Sequence, residues 1–465
     1  MILQDYFQEI FTRQKDNAPV IATTNATERI AKLKKLQKFL LDHVEEACEA
    51  TYMDFRKPHA ETIIGELLVL ISEISYTIKN LPKWMRPERQ AVPLTMLGTS
   101  AYIQYEAKGN VLIMSPWNYP IALAIKPLVS AIAAGCVVMV KPSEMTPHSS
   151  AFLRKVLSTV FPPDEVALVE GDAEVAGRLL KLPFNHIFFT GSPAVGKIVM
   201  KAAAENLASV TLELGGKSPA IVDASADLEA TARRIVWAKF FNNGQTCIAP
   251  DYILADHSIV DKLIRELKVA LSEMYADVKS SPSYGRIVNH KHFDRLCACL
   301  DDALEKGAEL VIGGQRDENE RFLAPTILMQ VNENMKVMQE EIFGPILPIV
   351  TFKKLPEAVA FVNNKEKPLA LYIHSVESEH IDYVLKNTTS GNALVNEVLT
   401  QFGNTEIPFG GVNNSGIGKS NGFYGFKEFS NDKGVMKRRF GTLKFLYPPY
   451  STKLVTLLKK GLRWI

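Results

Sequence analysis

Cys247 stands in FNNGQTCIAPDY, a glycine- and proline-bounded run between a predicted helix and a predicted strand, where a side chain can face a cleft. A thiolate there attacks a carbonyl carbon if something helps it form and donors hold the oxyanion. The nine histidines are scattered and none falls in a hydrolase pattern, so a Cys–His protease is the weaker reading. The acidic candidate is Glu213 in TLELGGKSP, wedged between a strand and a Gly-Gly turn. Apolar surroundings would raise its pKa and suit it to general-base work, although a solvated strand end would explain the same residue. Cys48 and Cys136 read as small buried hydrophobes. Cys297 and Cys299 do not share a helix face, and with only His290 and His292 nearby no metal is expected.

The third chemical feature is a glycine loop. HIFFTGSPAVGK follows a buried strand and precedes a helix, and reads G-x-x-x-x-G-K. Ile198 replaces the Ser or Thr that would hold magnesium, which counts against a P-loop NTPase, and the run is not G-x-G-x-x-G either. A strand–turn–helix unit remains, whose helix N-terminus can sit under a phosphate or can simply be a tight turn.

The elements that must carry these residues alternate. From about residue 109, strand candidates NVLIMS, CVVMVK, VALVEG and HIFFTG are separated by helical stretches near 121–134, 148–160 and 172–180. A second series follows Val210: VTLELGG, SPAIVD, YILAD, strands near 309 and 325, then LPIVTF and LALYIHS, with helices near 226–243 and 257–275. Continuous buried strands separated by helices imply an α/β fold with a doubly wound parallel sheet. Ahead of them, Ile30, Leu33, Leu36, Leu40 and Val44 recur at helical spacing from about Thr27 to Tyr52, and a second helix covers roughly Glu61 to Lys79. TSAYIQYEAKG alternates like a strand leaving one domain body.

Composition sets the outer limits. The 465 residues are 47% hydrophobic and 22% charged, an ordinary globular balance, and at roughly 150 residues per domain imply two to three domains. A net charge of +2 gives no argument for nucleic acid. Five cysteines without a CxxC pair fit a reducing compartment, and the acidic start MILQDYFQEIFTRQKDN lacks a signal-peptide core, so a cytoplasmic protein is expected. Between Val111 and Val140 Lys126 is the only charge, but prolines interrupt the run, so no transmembrane helix is expected. After Asp432 there are nine basic residues and no acidic one, and Leu454, Leu458, Leu462 and Ile465 fall at helical intervals. Such a basic amphipathic tail can lie on an anionic membrane surface, but a terminal arm packed on a partner subunit is the favoured reading.

In order along the chain, MSPWNYP, KPSE, FTGSPAVG, LELGGKSP, FNNGQTC, EEIFGP and PFGGVNNSG resemble the aldehyde dehydrogenase superfamily. PWNYP, YGRIVNHKHFDRL and the basic tail are most similar to its class 3 branch, which oxidises medium- and long-chain aliphatic and aromatic aldehydes. The resemblance implies Cys247 as nucleophile, with the Asn118 amide and the Cys247 backbone N–H holding the oxyanion. It also implies a thiohemiacetal that loses hydride to the nicotinamide, and Glu213 activating the water that hydrolyses the resulting thioester. On the cofactor side it implies Lys141 and Glu144 at the adenosine ribose, Gly191, Ser192, Val195 and Gly196 along the pyrophosphate and adenine, and Glu341 and Phe343 at the nicotinamide ribose and ring. A carboxylate at Glu144 suits a free 2′-hydroxyl, so NAD is the expected cofactor, with NADP also accepted in this branch.

The implied architecture is a dinucleotide-binding domain of residues 1–80 and 105–210 and an α/β catalytic domain of residues 211–395. Residues 85–104 and 396–465 would form a small β bridging segment, in a homodimer. A cysteine-dependent ester or thioester hydrolase on the same fold, and a CoA-acylating relative, are the competing activities. Glu213 argues against the second, because those branches generally lack it. Asn413, where class 3 commonly has Gly, and KEFSND, which lacks the usual His, bear on substrate preference rather than chemistry.

Overall fold

Two parallel sheets organise the chain, each buried on both faces by helices. The structure, a computed structural model, describes residues 2–93, 96–441 and 444–462. The first sheet has six strands in the order Gly416–Ile417, Ser209–Leu214, His186–Gly191, Asn110–Met114, Val137–Lys141, Val166–Leu168, with only the first pairing antiparallel. Its alternation is read by two cores. Val111, Ile113, Val138 and Val140 face the helices Ala26–Asp42, Leu68–Trp84 and Ala122–Ala134. Leu112, Met114 and Met139 face Phe7, Ile10 and Phe11 on the other side. Those three aromatic and aliphatic side chains belong to an N-terminal helix, Ile2–Ala22, that the periodicity did not mark.

The second sheet has seven strands in the order Glu309–Ile312, Thr326–Met329, Ile346–Phe352, Tyr252–Asp256, Pro219–Val222, Ala370–His374, Asn392–Val395, parallel except at its first pairing. Its central strands, buried on both faces, need apolar residues at every position and so read as continuous hydrophobic runs, while its edge strands Glu309–Ile312 and Asn392–Val395 are partly exposed.

A third, three-stranded antiparallel sheet joins Glu88–Gln90, Thr99–Ala107 and Ser430–Arg438, the last two paired over nine residues. Its Tyr105 and Ala107 pack against the core of the first sheet, and none of the residues of Thr99–Ala107 is fully buried.

Three expectations change. The helix expected over Thr27–Tyr52 is two helices, Ala26–Asp42 and Val44–Phe55, broken at His43. There the imidazole Nδ1 bonds the Phe39 carbonyl at 2.8 Å and the ring stacks on Phe39. The helix Leu68–Trp84 is preceded by a wider turn, Ile63–Leu67, and continues to Trp84 rather than stopping at Lys79. Finally, the six-stranded sheet runs past the expected boundary at 210 through Leu214 and recruits Gly416–Ile417, so Glu213 belongs to it. The tail forms a helix, Thr452–Gly461, with no buried residue; Arg463 and Ile465 lie outside the described residues. Among the described residues no helix is long and apolar enough to cross a membrane.

Candidate active site

The helix Leu228–Phe240 ends in a tight turn, Phe241–Gly244, in which Asn242 and Asn243 adopt left-handed backbone with φ 52° and 55°. Asparagine tolerates that conformation better than most residues, so FNNGQTC folds back sharply and delivers Cys247 to the interface of the two sheets. Buried amides clamp the loop. Asn242 Nδ2 donates to the Asn118 carbonyl at 2.9 Å, Gln245 Nε2 donates to the Arg286 carbonyl, and Gln245 Oε1 accepts from the Val288 N–H. Asn118 Nδ2 donates to the Gln245 carbonyl at 3.0 Å, which ties that side chain to the strand of loop just before Cys247.

Cys247 and Glu213 line one cavity of about 300 Å³, walled mainly by apolar side chains such as Leu68, Leu123, Trp237, Phe241, Phe402 and Phe409. Asn118 is buried behind the loop and does not line it. Glu213 Oε1 accepts from Ser420 Oγ at 2.9 Å, while Oε2 is buried with no partner. Burial pushes its carboxyl up to about 7; the Ser420 hydroxyl and the ammonium groups of Lys419 and Lys126 pull the other way. Burial raises the Cys247 thiol far more, with Glu341 and Glu213 adding to it, so the resting group is the protonated thiol. The backbone N–H groups of Cys247 and Ile248 oppose that shift by favouring the thiolate. A carboxylate with near-neutral proton affinity and a free oxygen, in the same cavity as a thiol and a pair of backbone donors, can take a proton from sulfur or from water.

The remaining predicted residues gather at the carboxyl ends of the parallel strands. Lys141 ends the strand Val137–Lys141, and its Nζ bonds Glu144 Oε2 at 2.9 Å, the lysine buried and the glutamate exposed. Gly191 ends the strand His186–Gly191; exposed Ser192 caps the helix Pro193–Glu205 through the Val195 N–H, and Val195 is also exposed. Gly196 lets the helix approach the neighbouring strand, since a Cβ there would come within 2.8 Å of Leu214. Strand order reverses between Asn110–Met114 and His186–Gly191, the kind of switch point where open α/β sheets bind dinucleotides. Ser115 follows Met114 there, and its hydroxyl is buried with no partner. Glu341 packs its carboxylate against Gly215, where a Cβ would collide with it, and burial with Asp251 pushes it up to about 8. Phe343 takes left-handed backbone and meets Trp117 edge-on at 5.4 Å. An exposed helix N-terminus, a hydroxyl without a partner, and a lysine–carboxylate pair suit a dinucleotide's phosphates and ribose hydroxyls.

Sequence reasoning missed several residues. Ser420 orients Glu213 from four positions beyond the PFGGVNNSG motif, which did not include it. Lys57 and Glu66, both without solvent exposure, form an ion pair at 2.7 Å. Lys57 also donates to the Asn118 carbonyl at 3.3 Å, and Glu66 accepts from the N–H groups of Ile121 and Ala122 at 2.8 and 2.9 Å. Asn413, expected to bear on substrate preference, accepts from Lys367 Nζ at 2.7 Å and does not line the cavity.

The aldehyde dehydrogenase family model matches residues 4–435. The chain is 44% identical over 436 residues to a putative aldehyde dehydrogenase, AldX, of Bacillus subtilis, covering 93% of this chain and 98% of that protein. It is 42% identical to aldehyde dehydrogenase family 3 member B3 of Mus musculus over 98% of this chain and 95% of the relative. Among solved structures, the substrate-bound state of Staphylococcus aureus AldH superposes with a TM-score of 0.93 at 39% identity, covering 98% of this chain and 99% of that one. This chain belongs to the aldehyde dehydrogenase family and resembles its class 3 branch, and is accordingly an NAD(P)-dependent oxidoreductase acting on aldehydes.

Proposed function

We propose that this protein oxidises medium- or long-chain aliphatic or aromatic aldehydes to carboxylic acids, with NAD preferred over NADP. The carrying observation is the single apolar cavity shared by Cys247 and Glu213, in which Glu213 Oε2 has no protein partner.

In this reading the Cys247 thiol gives up its proton to water and its sulfur bonds to the aldehyde carbon, giving a thiohemiacetal. The Cys247 backbone N–H stabilises its oxyanion, while the Asn118 amide, expected to be a second donor, bonds the Gln245 carbonyl and holds the loop that presents the first; losing one oxyanion donor typically costs about 100- to 1000-fold in rate. A bound nicotinamide dinucleotide would supply the hydride acceptor. Glu213, held by Ser420, then takes a proton from water, and the resulting hydroxide releases the acid from the Cys247 thioester. Lys141 and Glu144 bind the adenosine ribose, the turn containing Gly191, Ser192, Val195 and Gly196 lines the pyrophosphate, and Glu341 and Phe343 orient the nicotinamide side. Apolar walls such as Leu123, Trp237 and Phe409 favour hydrocarbon over polar substrates.

The dinucleotide-binding unit comprises residues 1–80 and 105–210 extended to Leu214, and the catalytic unit the seven-stranded sheet. The antiparallel sheet bridges to a second subunit in a homodimer, supported by the nine-residue edge strand Ser430–Arg438. The exposed basic helix Thr452–Gly461 contacts an anionic membrane surface, supported by its exposed Leu457 and Leu458 beside Lys453, Lys459 and Lys460.

Spectrophotometric assay of aldehydes of increasing chain length, with each dinucleotide, tests the reading. Cys247→Ala abolishes nicotinamide reduction; equal rates in the two proteins refute the assignment. Ester cleavage that proceeds without dinucleotide while no aldehyde is oxidised would favour the hydrolase instead.

A further inference from the structure

Lys126 is a buried charge that the reaction sequence above does not use. It lies on the helix Ala122–Ala134, is almost fully buried, and lines the same cavity as Cys247. Its Nζ donates to the Phe402 carbonyl at 2.8 Å and rests 3.7 Å from the centre of the Phe402 ring. The charged groups that face it are Glu73 and Glu213. An ammonium has three hydrogens, and Phe402 takes one, which leaves the nitrogen with capacity toward the cavity.

We propose that Lys126 is a second aldehyde-reactive group of this protein: its ε-amine condenses reversibly with an aldehyde that enters the cavity without reaching Cys247, forming an imine that occupies the site. The proposal rests on the aldehyde-oxidising reading of the cavity. In the condensation the amine lone pair bonds to the carbonyl carbon and the carbonyl oxygen leaves as water, carrying both hydrogens of the neutral amine. Nothing is oxidised or reduced, and water reverses the step. Burial pulls the ammonium down to about 8, with Glu73 and Glu213 opposing. At neutral pH this leaves Lys126 with roughly two hundredfold more neutral amine than an ordinary lysine, whose pKa is about 10.4. Imine formation removes cavity volume from productive binding, so the rate falls at high aldehyde.

The test exposes full-length protein without dinucleotide to a medium-chain aldehyde and cyanoborohydride at neutral pH, followed by peptide mass mapping. Both the wild type and Cys247→Ser are used. The expected result is an alkylated Lys126 ahead of every surface lysine in both proteins. Labelling confined to surface lysines, or no labelling, overturns the proposal. In steady-state assays Lys126→Met and Lys126→Arg both lose the decline in rate at high aldehyde; a decline that persists in Lys126→Arg overturns it, because arginine keeps the charge but forms no such imine. Failure of the oxidase reading shows separately, as absence of nicotinamide reduction in the wild type, whatever the mapping finds.

Discussion

The pH dependence of deacylation follows from Glu213. An ordinary glutamate is ionised well below neutrality, but burial among apolar walls holds this one at about 7. The upward displacement of roughly two to three pH units corresponds to an order of 3 kcal/mol favouring the protonated carboxyl. Only the carboxylate can take a proton from the attacking water, and its population is about a tenth at pH 6, half at pH 7 and nine tenths at pH 8. Where thioester hydrolysis limits turnover, the steady-state rate therefore rises about tenfold between pH 6 and pH 8. Stopped-flow absorbance separates that rate from the first-turnover burst, which reports attack by Cys247 and loss of hydride. In Glu213→Gln the burst persists, because water can take the thiol proton, while the steady state falls about 100- to 10000-fold. A steady-state profile already flat above pH 5 refutes the buried-base argument. A burst that vanishes in Glu213→Gln means that Glu213 acts before hydride loss.

Ser420→Ala removes the hydrogen bond that favours the Glu213 carboxylate, so the inflection in that profile moves upward from about 7; an unchanged inflection rules out Ser420 as its positioning group. Lys57→Met leaves Glu66 buried with only two N–H donors, and lowers stability by about 3 kcal/mol in denaturant titration, with kcat falling more than the KM for aldehyde because the Asn118 carbonyl loses a donor. Gly215→Ala puts a methyl on the Glu341 carboxylate and raises the KM for NAD, read from initial rates at saturating aldehyde, while the burst amplitude at saturating NAD is retained. Deleting residues 451–465 abolishes sedimentation with anionic vesicles and leaves oxidation of short, soluble aldehydes unchanged; retained sedimentation places the membrane contact elsewhere.

Much of this protein was decided locally. Continuous apolar strands at NVLIM and VVMVK, buried on both faces, announce a parallel sheet because its crossover helices cover both sides of a strand. The ordered motifs around Asn118, Glu213 and Cys247 were legible because their glycines, asparagines and prolines are dictated by turns at the strand ends. What the tertiary structure alone decided is proximity. Ser420 meets Glu213 across 207 positions and Lys57 meets the Asn118 carbonyl across 61, and neither has any local pattern, since a buried hydrogen bond depends on where two distant segments pack. The same holds for Lys126, which in sequence is a lone charge in an apolar run; only folding encloses its amine in a cavity with a thiol and withdraws enough water to change its chemistry.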